Sequence, residues 1–157
     1  MHETPIRVRW SELDPYGHVN HAVYLTYLEQ ARIAALQSIG WGMAAIESLG
    51  CRVIVARADL RFRRSAGADD ALVVTSEIVE LRSASSRWHQ EIRRGDEVIL
   101  EAGITGACTD LAGRPRRVPP DLQAALGRLA APLGPPPERA PGAAASRFRH
   151  GETPGSV

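Results

Sequence analysis

A helical segment that is apolar around most of its circumference constrains this 157-residue chain more than any other feature. It is predicted to begin at His21, after Asn20 as the N-cap, and to end at Ile39, before Gly40 as the stop signal. Its apolar positions are Val23, Tyr24, Leu25, Tyr27, Leu28, Ala31, Ile33, Ala34, Ala35 and Leu36. A helix with so few polar positions is normally enclosed in a larger core, so we expect the rest of the chain to surround it.

The other elements are predicted to be mainly strands. Residues 6–10 alternate apolar and charged side chains, which places Ile6, Val8 and Trp10 on the buried side of a half-buried strand. Beyond Gly50 the period changes to two, and four more strands are predicted, over residues 51–63, 71–81, 86–94 and 97–109. Two short helices are predicted as well, over residues 43–48 and 122–129. Because the connections are short, including a two-residue loop at Gly95–Asp96, the strands are antiparallel. The fold class is α+β, with an antiparallel sheet wrapped around one long central helix.

Length and composition indicate one domain, residues 1–131, followed by a tail, residues 132–157. The tail is rich in Pro, Gly, Ala and Arg with almost no large apolar side chain, so it is predicted to be disordered. A net charge of +1 argues against a nucleic-acid partner, and no apolar run is long enough to cross a membrane. Cys51 and Cys108 lack metal-ligand spacing, and no signal peptide is recognisable, which together favour a cytoplasmic protein.

A turn with a carboxylate precedes the long helix. Asp14 begins the stretch Asp-Pro-Tyr-Gly, and Gly17 would permit close approach of another backbone. A carboxylate there could attack an acyl carbon or deprotonate a water, while backbone N–H groups near Asn20 and His21 hold the developing oxyanion. The plainer alternative is that Asp14 only caps its own turn, as aspartates in turns commonly do.

The neighbouring polar residues suggest no other chemistry. One carboxylate with His18 and His21 does not make a convincing metal set, so we expect neither a metal nor another cofactor. His18 is expected to shape the turn, and His21 to contribute its backbone N–H. Core packing is the first expectation for Tyr24 and Tyr27. A serine hydrolase is disfavoured because the chain has no G-x-S-x-G motif.

Residues 12–21, ELDPYGHVNH, followed by Tyr24, Tyr27, Glu29 and Ala31-Arg32, closely resemble the signature of the 4-hydroxybenzoyl-CoA thioesterase family of hotdog-fold enzymes. A weaker likeness over residues 60–118 extends the match to about residues 5–130. The resemblance implies a sheet of five or six antiparallel strands around a central helix, and hydrolysis of an acyl-CoA to free acid and CoA without a cofactor. It also implies homodimers as the active unit, often paired into tetramers, with acyl-CoA bound at the subunit interface.

The resemblance also implies roles for residues of this chain. Asp14, in the turn with Gly17, would be the catalytic nucleophile or general base, and the His21 N–H would polarise the thioester carbonyl. The residues expected to meet substrate are His18, Asn20, Tyr24, Ser65, Arg82, Ser83 and Ser85. Of these, Ser65 aligns with a hydroxyl residue on the partner subunit's side of the site, and the last three would meet the phosphates or pantetheine of CoA.

The chain departs from the family pattern at two positions, and alternatives stay open. Glu12 stands where Asp is common and is expected to be peripheral to the chemistry, while His21 replaces a frequent second Asn. Related hotdog branches use a helix Glu, which would be Glu29, but Asp14 matches the motif directly. The rival functions are a hotdog enzyme acting on acyl-carrier-protein thioesters, and a binding protein that has kept the fold. A binding protein would have no need of the acid at Asp14.

Overall fold

Five strands form one antiparallel sheet in the computed structural model, which describes residues 1–130. The strands are β1 His2–Arg7, β2 Cys51–Phe62, β3 Ala71–Leu81, β4 Ser85–Arg94 and β5 Glu97–Asp110. Their order across the sheet is β1-β3-β4-β5-β2, so β1 and β2 form its two edges. The predicted α+β class and the two-residue loop between β4 and β5 are confirmed. The predicted tail, residues 132–157, lies outside the described residues.

Three helices accompany the sheet: α1 His21–Ser38, α2 Met43–Ser48 and α3 Pro120–Leu126. The start of α1 is as predicted, because the Asn20 side chain accepts the Ala22 N–H at 3.0 Å. Its last helical residue is Ser38, one before the predicted Ile39, and Gly40 follows with a φ of 86°. The third helix begins two residues earlier than expected, with Pro120 as its first residue. No helix within residues 1–130 is both long and apolar enough to cross a membrane.

Only one side of α1 is buried in the single chain. The buried side chains recur every three or four residues, as a helix face requires, and are Tyr24, Tyr27, Leu28, Ala31, Ala35 and Leu36. This face packs chiefly against β1 and β3. The opposite side, including Leu25, Thr26 and Glu29, is exposed. The apolar residues around α1 therefore predicted more burial than the helix has within one chain. The wrapping of the sheet around α1 stays a prediction.

A buried glutamine locks α1 onto the sheet. Gln90 of β4 is fully buried, and its amide NH2 donates to the Leu28 carbonyl at 3.0 Å and to the Ser76 hydroxyl at 2.8 Å. Its carbonyl oxygen accepts from the Arg32 guanidinium at 2.7 Å. Arg32 thus bonds across to the sheet, although Glu29 lies three residues away on the same helix. Burial lowers the pKa of the Arg32 guanidinium, and the charge of Glu29 partly opposes this.

The N-terminal strand ends earlier than its alternating pattern predicts. β1 stops at Arg7, and residues Trp10–Glu12 form a short 3-10 turn in which Trp10 is 83% exposed. The reason is local, since the Glu12 N–H bonds back to the Arg9 carbonyl and the Glu12 carboxylate accepts the Arg9 N–H. The prediction that Trp10 faces the core was therefore wrong.

Replacing Gln90 with leucine tests the lock on α1. Gln90→Leu keeps the volume roughly constant but leaves the Arg32 guanidinium and the Ser76 hydroxyl without their partner. We expect a loss of about 1–3 kcal/mol in the free energy of unfolding, measured by urea denaturation. Gln30→Leu, at an exposed position of α1, is the control and should change stability by less than about 0.5 kcal/mol. Equal effects from the two variants would contradict the role assigned to Gln90.

Candidate active site

The turn before α1 holds the Asp14 carboxylate in place with its own backbone. Asp14 N–H donates to the His18 carbonyl at 2.7 Å, and Gly17 N–H donates to the Asp14 carbonyl at 3.0 Å. One carboxylate oxygen, Oδ1, accepts the N–H groups of Tyr16 at 2.9 Å and His18 at 3.2 Å. The other oxygen, Oδ2, has no hydrogen-bond partner within residues 1–130. The capping role and a chemical role are therefore compatible, because they use different oxygens.

Gly17 serves this turn through its conformation. Its φ is 79°, in the left-handed region where a side chain is strained. A Cβ added at Gly17 would meet no atom within 4 Å. Within residues 1–130 the backbone angle accounts for the glycine, and the part of Gly17 in the site stays a prediction.

The end of the turn is tied to two other segments. Asn20 N–H donates to the Glu12 carbonyl at 2.9 Å, and Val19 N–H donates to the Ala66 carbonyl at 2.8 Å. The second bond joins the turn to the connection between β2 and β3. The Asn20 N–H is thereby occupied and is not free to bind an oxyanion, while the side-chain oxygen of Asn20 caps the helix.

The N–H of His21 has a different environment. His21 is the first residue of α1, and its N–H has no acceptor within the part of the chain that the structure describes. The positive end of the helix dipole lies at this residue. Two N–H groups were predicted for an oxyanion site, those of Asn20 and His21. The His21 N–H is therefore the one that is available to bind an oxyanion.

Asp14 and His21 line one cleft of about 350 Å³. Its other lining residues are Val19, Tyr24, Phe62, Arg63, Arg64 and Ser65. The Tyr24 ring is buried and meets the Phe62 ring edge-on, with centroids 5.7 Å apart, while its hydroxyl accepts the Ala66 N–H at 3.1 Å. Burial raises the pKa of Tyr24 by more than the Ala66 bond lowers it, so the hydroxyl keeps its proton and can donate.

The cleft includes three residues that the sequence did not mark. Phe62, Arg63 and Arg64 end β2 or follow it, and the Arg63 and Arg64 N–H groups both donate to the Ile99 carbonyl. The Arg63 guanidinium pairs with Glu101 at 3.1 Å. No local motif indicates that this strand end lies beside the Asp14 turn, because strand pairing and the Val19–Ala66 bond bring them together.

Two further predicted residues lie near the cleft. Ser65 lines the same cleft as Asp14 of its own chain, although the resemblance placed the aligned residue on the partner's side. His18 is exposed. Its backbone N–H donates to the Asp14 carboxylate, and its carbonyl accepts the Asp14 N–H. Its ring makes no hydrogen bond within residues 1–130. The roles of both residues in binding stay predictions.

The residues predicted to meet CoA lie elsewhere in the chain. Arg82 and Ser85 line a groove of about 270 Å³, together with Arg57, Asp59, Glu80, Ser86, Arg87 and Thr105. Arg87 and Thr105 alternate with buried neighbours and are paired with each other, so the groove lies on the face of the sheet away from α1. Ser83 is outside it, with its carbonyl accepting the Val118 N–H. The single chain therefore does not bring these residues to Asp14.

No metal cluster accompanies either site. Residues 1–130 contain no group of three or more His, Cys, Asp or Glu side chains placed to hold a metal ion. The participation of a metal or cofactor is a separate question, and its absence from the reaction stays a prediction.

These observations define a class of α+β protein in which an aspartate turn and a helix N-terminus share one cleft. The sequence profile of the thioesterase-like superfamily matches residues 8–126. The chain belongs to the thioesterase-like superfamily, and its predicted relationship to the hotdog-fold thioesterases is confirmed.

Relatives of known name cover most of the chain. It is 36% identical to the long-chain acyl-CoA thioesterase FadM of Escherichia coli, over 69% of this chain and 83% of that protein. It is 30% identical to the chloroplastic acyl-acyl carrier protein thioesterase ATL2 of Arabidopsis thaliana, over 82% of this chain and 70% of that protein. Among solved structures, the hypothetical protein TT1821 of Thermus thermophilus superposes with a TM-score of 0.78 at 30% identity, over 82% of this chain and 99% of that one.

Proposed function

We propose that this protein hydrolyses the thioester of an acyl-CoA to the free acid and CoA. The observation that carries the proposal is the cleft that holds the Asp14 carboxylate beside His21, the first residue of α1. The superfamily and the names of relatives such as FadM confirm the predicted reaction class, thioester hydrolysis. The choice of acyl-CoA as the substrate follows FadM and is part of the proposal.

Asp14 supplies the reactive group in this mechanism. Its Oδ1 is held by two backbone N–H groups, which leaves Oδ2 to act on the substrate. The carboxylate either attacks the thioester carbon, which expels the CoA thiolate and leaves the acyl group on Asp14 as an anhydride that water then hydrolyses, or takes a proton from a water that attacks the same carbon. In both versions the carbonyl oxygen becomes negative, and the His21 N–H with the helix dipole stabilises it.

A second candidate substrate is an acyl group carried on an acyl carrier protein. The observation that favours it is the similarity to ATL2, which is named for that activity. The chemistry at Asp14 would be the same, because the bond cleaved is again a thioester. The two candidates differ only in what carries the acyl group.

The decisive experiment measures thiol release from a panel of acyl-CoAs by the wild type and by Asp14→Asn. Asparagine keeps an oxygen to accept the Tyr16 and His18 N–H groups but cannot serve as nucleophile or base. We therefore expect kcat to fall by about 100-fold or more while circular dichroism stays unchanged.

Glu29→Gln is the matched control, since Glu29 is an exposed acid of α1 that lines neither cavity. It should keep wild-type kcat. An active Asp14→Asn with an inactive Glu29→Gln would move the catalytic role to Glu29. A wild type that is silent on every acyl-CoA but cleaves acyl-carrier-protein thioesters would establish the second candidate.

The CoA moiety needs a cationic surface, which we propose is the groove with Arg82 and Ser85, contributed by a second copy of the chain together with Ser83, the residue after Arg82. The groove contains three arginines, Arg57, Arg82 and Arg87, against two acids. Two of the arginines are paired with those acids, at 2.7 Å each, and Arg87 forms no ion pair within residues 1–130. Guanidinium groups suit phosphate oxygens because they can bind them through two N–H groups at once.

The Arg82→Ala variant tests this contact. We expect KM for an acyl-CoA to rise roughly two- to fivefold with little change in kcat, because an exposed charge contact contributes up to about 1 kcal/mol. The increase should shrink at high salt. Arg114→Ala removes an exposed arginine that follows β5 and lies outside the groove, and it should leave KM unchanged. The same KM increase in both variants would argue for general charge attraction and against this site.

We propose further that the active unit is a homodimer, with pairing into tetramers as a second step, and that β2 forms the contact. β2 is a 12-residue edge strand, and Val53, Ile54 and Val55 on it are 37–50% exposed. A long apolar edge is suited to pairing with another strand, and left open it would promote aggregation. A second copy at this edge would cover these residues and extend the sheet around α1.

Introducing a charge on the edge tests the dimer. Val55→Lys should shift the protein to monomer in analytical ultracentrifugation and lower kcat/KM, since a buried lysine at a strand contact is costly. Val79→Lys is the control, because Val79 is similarly exposed, at 45% against 50%, but lies on the inner strand β3. It should leave the oligomeric state unchanged. A wild type that sediments as a monomer would refute the proposal outright.

A further inference from the structure

Glu12 makes more contacts than its position two residues before Asp14 suggests. Its carboxylate oxygen Oε2 accepts the Tyr27 hydroxyl at 2.6 Å and the Arg9 N–H at 2.7 Å. Its backbone carbonyl accepts the Asn20 N–H at 2.9 Å. One residue therefore connects the start of the turn, the end of the turn and the interior of α1.

Tyr27 is a fixed point for this connection. Its side chain is 1% exposed, and its ring packs edge-on against Tyr24 with centroids 6.1 Å apart. The hydroxyl therefore cannot move without disturbing the core. Burial, and then the bond to Glu12, raise the pKa of Tyr27 well above its ordinary value, so the hydroxyl stays a donor throughout the neutral range.

Two sets of hydrogen bonds fix the segments that carry Asp14 and His21: those that close the turn, and the bond between Glu12 and Tyr27. The chain from Glu12 to Asn20 is closed by the Asn20–Glu12 bond and by the antiparallel bridge between Leu13 and Val19. Glu12 in turn is held to α1 by Tyr27, six residues beyond His21. The distance between the Asp14 carboxylate and the His21 N–H thus depends on where Tyr27 holds Glu12.

We propose that Glu12 is a positioning residue for the hydrolysis, which sets the Asp14 carboxylate against the His21 N–H through its bond to the Tyr27 hydroxyl. The proposal rests on the function proposed above. Glu12 does not line the cleft, so the role proposed for it is positioning and not contact with the reacting atoms. A short bond from a hydroxyl to a carboxylate is among the stronger hydrogen bonds, which suits a fixed anchor. Glu12 was expected to be peripheral to the chemistry, and this proposal gives it a role through Tyr27.

The kinetic experiment compares Glu12→Gln, Glu12→Ala, Tyr27→Phe and the Glu12→Ala/Tyr27→Phe double variant of the full chain. Gln keeps an acceptor oxygen for Tyr27 and Arg9, so its kcat should stay within about threefold of wild type. Glu12→Ala and Tyr27→Phe should each lower kcat by about tenfold or more with KM little changed, because geometry at the reacting atoms is affected and binding is not. Ser11→Ala, at the exposed position next to Glu12, is the control and should match the wild type.

The double variant separates positioning from independent effects. If Glu12 acts through Tyr27, the double variant should lose no more kcat than Glu12→Ala alone. Losses that multiply would overturn the proposal. So would a Glu12→Ala protein that melts at a lower temperature but keeps wild-type kcat when folded, which is the result expected of a structural role only.

Hydrogen exchange tests the Glu12–Tyr27 bond by a measurement that does not depend on catalytic activity. The amides of Tyr16 and His18 donate to Asp14, so their exchange reports whether the turn holds its shape. Glu12→Ala and Tyr27→Phe should speed this exchange about tenfold, with amides of β4 unchanged and Glu12→Gln near wild type. Unchanged exchange in the turn would refute the positioning role. Should the wild type cleave no thioester, the proposed function alone fails and this measurement still decides the role of Glu12.

Discussion

The attachment of α1 to the sheet is the constraint on which the site depends. Its buried face supplies apolar contact, and Gln90 adds bonds to the Leu28 carbonyl and the Arg32 guanidinium at the middle of the helix. A buried amide that satisfies several groups specifies one position, because any shift leaves a polar group unpaired. Once α1 is fixed, so are its first residue, His21, and the turn that leads into it. The cleft is therefore positioned by contacts that lie well outside it.

The turn itself shows how one carboxylate serves both structure and chemistry. Asp14 satisfies two backbone N–H groups with Oδ1, and this removes the rotational freedom that a reactive group would otherwise lose on reaching its transition state. Asn20 likewise uses two groups for two purposes. Its side-chain oxygen caps α1, and its N–H closes the turn by donating to the Glu12 carbonyl. Among the groups described in residues 1–130, the His21 N–H is left without an acceptor, at the end of the helix where negative charge is most favoured.

Several features of the single chain would be explained together by a second copy. The edge strand β2 exposes Val53, Ile54 and Val55, and α1 has one exposed side. The arginine groove with Arg82 lies on the other face of the sheet from Asp14 of the same chain. Symmetric pairing at an edge strand would bury the apolar side chains and enlarge the sheet. In that arrangement one subunit would supply the carboxylate and the other the phosphate contacts, which is why dimerisation and activity are proposed to be linked.

The sequence by itself determined the features whose causes are local: the bounds of α1 from its Asn20 cap and Gly40 stop, the strand periods, the hairpin loop, and the turn that presents Asp14. The tertiary structure alone decided which groups meet. Phe62, at the end of β2, lies in the cleft beside Asp14 although no local motif links the two, and Arg32 bonds to Gln90 of β4 although Glu29 lies three residues away on α1. Caps and periods depend on neighbours within a few residues, whereas these outcomes depend on strand order and register, which join residues far apart in the chain.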